Sequence, residues 1–275
     1  MTDMITSEQQ KQIVRFTEDA ASKAAKEVLA SFPLEKEATQ KTVIEKGDEL
    51  QAVLMPVITT ALSQFLAKRT ESFEVMKASI LIKASGSNPY FDQQFDYWIE
   101  LWRKKLGIKN PNFVGIAPFV EHSGYRPLIL PKHELITPQY LYDCCRERFK
   151  CWKWYDGSLD EAVAKNDRDP RAGAYVIWLW DRVEADKELK NFSAVKLEEM
   201  KIAGITLLER EVMEYDHFNR TDGHLDINNI TLCLGSRYDG GDVPRVYWYD
   251  GKMRIDWCHP RHAHDHLRSR QQFTF

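Results

Sequence analysis

The sequence predicts an α+β fold, on three observations. Apolar residues recur at three- and four-residue spacing over roughly the first 85 positions, as helices require. The run AYVIWLW at 174–180 is apolar throughout, as a strand covered on both faces would be. From residue 243 onward apolar and polar residues alternate strictly, the signature of half-buried strands. The resulting order of helix, strand, helices and then strands fits α+β better than regular βαβ alternation.

Taken in order, Ser7 with Gln10 forms a capping box, and Val14, Ala21, Ala25, Val28 and Phe32 form one stripe that Pro33 ends. A second helix begins near Asp48 and carries Leu50, Val53, Leu54, Val57, Ile58, Ala61, Leu62 and Phe65, with Pro56 kinking or restarting it. Residues 1–85 are therefore expected to be a helical hairpin or small bundle for docking or homo-oligomerisation. SGSNPY at 85–90 marks the boundary to a second region, 86–275. There Phe91, Phe95, Trp98, Ile99 and Trp102 share one helical face that Gly107 terminates. Residues 108–136, rich in Pro and Gly, read as irregular strands. Thr137-Pro138 starts a helix through LYDCCRERF, Ser158 with Glu161 caps a short one, and Thr206 with Glu209 opens an amphipathic one ended by NRTDG.

Composition narrows the function. The 275 residues are 43% apolar, and 38 Lys plus Arg stand against 41 Asp plus Glu, a formal charge of -3. Such a chain buries a core without metal or disulfide staples, and its charge balance argues against dedicated nucleic-acid binding. No apolar run approaches the roughly 20 residues of a membrane-spanning helix, and MTDMITSEQQKQ lacks the basic and apolar regions of a signal peptide. A cytoplasmic chain is expected, unless another route exports it. Five cysteines, none in CxxC spacing, read as free thiols, with Cys144, Cys145 and Cys151 on or near a helix; no cofactor is expected.

The C-terminal forty residues depart from this average. Residues 235–275 hold seven Lys plus Arg against five Asp, and four of the eight histidines (His259, His262, His264, His266) lie in the last 17 positions. Val246 and Trp248 alternate with Arg245, Tyr247 and Tyr249, Asp250-Gly251 makes a hairpin turn, and Met253, Ile255 and Trp257 alternate with Lys252, Arg254 and Asp256. CHPRHAHDHLRSR follows. Tyr, His, Arg and Asp interleaved with framework residues are the chemistry of a contact surface.

The elements GSR (235–237), GxVPxVxW (241–248), the return strand ending in Trp257, PxxA (260–263) and LRSR (267–270) resemble the C-terminal variable region of diversity-generating retroelement target proteins. The resemblance covers roughly 170–272 and does not reach the helical N-terminus. It implies a C-type-lectin-like fold, of the formylglycine-generating-enzyme type, whose variable segment at about 237–270 displays a ligand-binding surface. In that family a reverse transcriptase rewrites adenines of the gene's end while the scaffold stays fixed. Carried over by position, the ligand-binding residues would be Tyr238, Asp239, Asp242, Arg245, Tyr247, Tyr249, Asp250, Arg254, Asp256, Cys258, His259, Arg261, His262, His264 and His266. Val243, Pro244, Val246, Trp248, Ile255, Trp257, Pro260, Ala263, Leu267, Arg268 and Arg270 would be scaffold. The implied protein is not an enzyme, and its partner is an unknown protein or small molecule at the C-terminal face.

Three other readings compete. HAHDH at 262–266 superficially resembles a metallohydrolase signature, which would make His262, His264 and His266 zinc ligands; it is one residue short of that spacing and leaves no chain for later ligands. Cys233 and Cys258 could imitate the cysteine pair of the formylglycine-generating enzyme, though fold likeness does not confer activity. A phage receptor-binding or structural protein would use the same C-terminal surface. On the expected register, Arg245→Ala or Tyr247→Ala costs within about 0.5 kcal/mol, and Trp248→Ala about 3 to 5 kcal/mol.

Overall fold

A computed structural model describes residues 88–275 and, nearer the N-terminus, residues 11, 12, 14–16, 18, 19, 22 and 23. The chain divides into two compact units, Met1–Ala67 and Lys68–Phe275. In the first, every described residue is helical and exposed, Val14 and Phe16 included. The remainder of the expected stripe, the second helix at 48–65 and residues 85–87 of the expected boundary lie outside the described residues.

The second unit is mixed α and β. Helix α1 (Pro89–Glu100) starts where the Asn88 side chain accepts the Phe91 amide at 3.0 Å, with Pro89 placed where its missing N–H costs nothing. Its Phe91, Phe95, Trp98 and Ile99 are buried. A π-helical turn, Leu101–Lys105, then carries Trp102 inward, where its indole N–H donates to the Ile129 carbonyl at 2.8 Å. Gly107, at φ 71°, ends the segment. Strand β1 (Tyr125–Leu130), helix α2 (Pro138–Arg146, capped by Thr137), strand β2 (Cys151–Lys153), short helix α3 (Leu159–Ala162, capped by Ser158) and strand β3 (Val163–Asn166) follow. AYVIWLW contains strand β4 (Tyr175–Trp180), which pairs antiparallel with β1.

After a 3-10 turn and helix α4 (Ala194–Glu199) comes helix α5 (Leu207–Thr221), opened by the Thr206–Glu209 capping box and closed by Asp222 in the left-handed region at φ 56°. This helix departs from the expected amphipathic pattern. Every residue from 207 to 216 is buried, so its charges face protein instead of water. Glu209 pairs with Arg168 at 2.6 Å, Asp216 with Arg126 at 2.7 Å, and Arg210 with both Glu214 and Asp226 at 2.9 and 2.8 Å. Asp226 also receives Arg270 at 2.7 Å and the Thr231 hydroxyl at 2.6 Å, so one carboxylate ties α5, Thr231 and the C-terminal segment together. Glu211 is the exception: both its carboxyl oxygens are buried without a hydrogen-bond partner.

Strands β5 (Ile230–Leu232), β6 (Ser236–Tyr238), β7 (Val243–Tyr249), β8 (Lys252–Cys258) and β9 (Leu267–Ser269) complete the unit. The main sheet has the order β2-β8-β7-β5-β9, with β2 and β9 parallel to their neighbours and the interior pairs antiparallel. One face, through Val246, Met253 and Ile255, packs on the main core with α1, α2 and α5. A smaller core, built from Leu189, Ala194, Leu197, Leu232, Leu234, Val243, Cys258 and Leu267, covers one end of the opposite face. All five cysteines are free. No helix among the described residues is long and apolar enough to cross a membrane.

Candidate ligand-binding face

The β7–β8 hairpin turns on Asp250 and Gly251, both with positive φ (53° and 69°), the geometry that matches strand twist in a two-residue loop. The turn fixes a register of Arg245 opposite Asp256, Tyr247 opposite Arg254 and Tyr249 opposite Lys252. These six therefore share the face opposite Val246, Ile255 and Met253. Arg245 and Asp256 form an ion pair at 2.7 Å, and the Arg245 guanidinium lies 5.9 Å from the Tyr247 ring. Arg254 lies between Tyr249 and Trp152, at 5.1 and 5.4 Å from their ring centres. Aromatic faces attract a guanidinium electrostatically and leave its N–H edge free to bind. Burial raises the Tyr247 hydroxyl above its ordinary value, with Asp256 adding to the effect, so the ring presents a neutral donor.

Trp152 has no counterpart among the residues expected from the sequence. Strand β2 runs parallel to β8 with Trp152 beside Arg254, which puts an exposed indole on the same face. The alternation of CWKWY, with aromatics in the outward phase, is the signal that could have found it.

The histidines do not lie on a strand. Residues 259–266 form a loop of two turns, closed by His262 N–H to the His259 carbonyl and Leu267 N–H to the His264 carbonyl. His262 and His264 stand 5.3 Å apart between ring centres, and His264 and His266 6.3 Å. The His266 ring approaches the Asn228 carbonyl at 3.1 Å. Partial burial lowers the His264 pKa, and the positive fields of His262, Arg245 and His266 lower it further. Among the described residues, no three His, Cys, Asp or Glu are arranged to hold a metal. Asp239, Asp250, His259, Arg261, His262 and His266 are exposed, and Asp242 is half-buried.

Two expected binding residues are corrected. Tyr238 is only 4% exposed: it belongs to the main core, with its ring edge-on to Trp154 and its hydroxyl 3.5 Å from the Asp256 carbonyl. Cys258 is 3% exposed although it shares the face of Asp256, because α4 and its neighbours cover that end of the sheet. Burial pushes the Cys258 thiol up, and raises that of Cys233 in the main core, the reverse of what a reactive thiolate needs. Among the expected scaffold residues, Trp257, opposite Pro244 and away from the turn, is instead 46% exposed. Trp248 is half-buried and lies flat on the His224 ring at 3.3 Å between centres, while His224 is held by Glu214 at 2.9 Å. Arg270, buried on Asp226, is structural.

No family model matches this chain, and neither does any curated protein or solved structure.

Proposed function

We propose that this is a non-enzymatic ligand-binding protein whose C-terminal face is the diversified surface of a retroelement target, carried on a C-type-lectin-like fold. The observation that carries the reading is the hairpin register. It sets Arg245, Tyr247, Tyr249, Arg254 and Asp256 on one accessible face beside the loop that presents His259, Arg261, His262, His264 and His266, while Val246, Met253 and Ile255 hold the core from behind. Side chains on the outer face of such a sheet change without disturbing its packing. The mixture of guanidinium, imidazole, phenol and carboxylate suits directional contacts to a protein or small molecule.

A combinatorial library tests this. Randomising Arg245, Tyr247, Tyr249, Arg254, His259, Arg261, His262 and His264 together is expected to leave most members folded, with melting temperatures near the parent's. A library at only the four positions Val246, Met253, Ile255 and Leu267 is expected to leave few. Equal losses from the two libraries would contradict the reading.

A further inference from the structure

Beside the hairpin, where β2 enters the sheet, a cleft of about 500 Å³ is lined by Arg146, Glu147, Arg148, Phe149, Lys150 and Lys252 among others. A volume of this order accommodates a small-molecule group. Four of these side chains are cationic and one is acidic. Arg146, Arg148 and Lys150 are exposed. Their existing partners are weak ones: Arg146 meets Asp143 at 3.2 Å with both side chains largely in solvent, and Lys252 meets Asp250 at 3.8 Å. Arg148 lies over the Tyr215 and Phe218 rings at 5.7 and 5.5 Å, which fixes its position while leaving most of its donors unspent. Lys150 makes no ion pair among the described residues.

The cleft is continuous with the face. The Lys150 carbonyl accepts the Met253 amide at 3.0 Å, Lys252 stands opposite Tyr249, and Trp152, two residues after Lys150, packs on Arg254. Residues 146–152 lie outside the segment 237–270, and Lys252 is not one of the positions expected to vary.

We infer that the cleft is a fixed anion-binding subsite, in which Arg146, Arg148, Lys150 and Lys252 take a multiply charged oxyanion of the ligand, phosphoryl or polycarboxylate. It rests on the reading of the adjoining face as a binding surface, and divides the work there: a constant charged anchor beside positions that discriminate. Lysines act as point charges and arginines as forked donors, a mixture that suits clustered oxygens. Glu147 opposes the anion.

Isothermal titration of the full chain with pyrophosphate, and separately with citrate, tests the assignment at about 0.15 M salt, where long-range surface fields are screened within roughly 8 Å. Saturable one-site binding is expected, weakened by about tenfold or more in the Lys150→Ala, Lys252→Ala double variant as its charge-assisted hydrogen bonds are lost. Glu147→Gln is expected to tighten it, and Lys104→Ala, an exposed lysine of the π-helical turn paired with Glu100, to leave it unchanged. Pyrophosphate binding alone assigns a phosphoryl group, and binding of both anions a general oxyanion site. Absence of saturable binding, or equal affinity in a double variant with the parent's melting temperature, would overturn the subsite. The libraries vary the face and leave Lys150 and Lys252 intact, so the two claims fail separately.

Discussion

Glu211 gives the sharpest thermodynamic prediction. Its carboxyl sits on α5 with both oxygens buried and unpartnered, and burial raises its pKa well above the ordinary 4.5, with Asp160 and Asp143 raising it and Arg210 opposing them. The native state therefore keeps a proton that the unfolded chain releases. Stability from this site is fully present below pH 4.5 and falls as pH rises from there through the raised native value. Where the native carboxyl holds its proton and the unfolded one does not, the slope is about 1.4 kcal/mol per pH unit, or about 2.7 kcal/mol over two units. Glu211→Gln removes this titration with little change of shape. Urea unfolding of both proteins from pH 5 to 8 isolates the effect in the difference between them, since Asp186, also raised by burial, is common to both. The variant is expected to gain on the parent steadily as pH rises. Parallel profiles would refute the reasoning, because they would mean that Glu211 ionises alike in the folded and unfolded chains.

Asp226→Ala leaves Arg210 and Arg270 buried without their shared carboxylate, and is expected to cost about 3 to 5 kcal/mol in denaturant unfolding. Burial alone would raise the Asp226 carboxyl, but Arg270 and Arg210 hold it below its ordinary 3.8; its contribution is present above that value and is lost as pH falls through the lower native one. Trp248→Ala, which uncovers His224, is expected to cost about 2 to 4 kcal/mol, below the figure for full burial, whereas Tyr249→Ala stays within about 0.5 kcal/mol. In an NMR titration His264 is expected to protonate below the ordinary 6.5, and Arg245→Gln to move its midpoint upward; no movement would place Arg245 too far from the loop to matter.

Local rules made much of the second unit legible. The Thr206–Glu209 capping box, the Thr137-Pro138 helix start and the Asp250-Gly251 turn are set by backbone groups within a few residues, and each forms where its sequence signal stands. Alternation in 243–257 likewise gave the register, because a strand with one buried face cannot slip by one residue without exposing Val246 and Ile255. What tertiary contacts decide was not legible. Alternation assigns Cys258 to the face of Asp256, and only α4, distant in sequence, explains why it is covered. Tyr238 is buried for a similar reason, against Trp154. Helix α5 reads as amphipathic because Glu209, Arg210, Glu214 and Asp216 are charged, yet their partners Arg168, Asp226, His224 and Arg126 come from three other segments.

The central claim is that the C-terminal face is varied while its scaffold is kept. Sequencing the 3′ end of this gene from many independent isolates, together with the flanking DNA, tests it most directly. Substitutions are expected to concentrate in the codons of the outward residues, Arg245, Tyr247, Tyr249, Arg254, Asp256, His259, Arg261, His262, His264 and His266. A near-copy of the segment, differing where the copy has adenine, is also expected beside a reverse-transcriptase gene. Substitutions spread evenly over Val246, Ile255 and Leu267 as well, with no such copy, would contradict the claim.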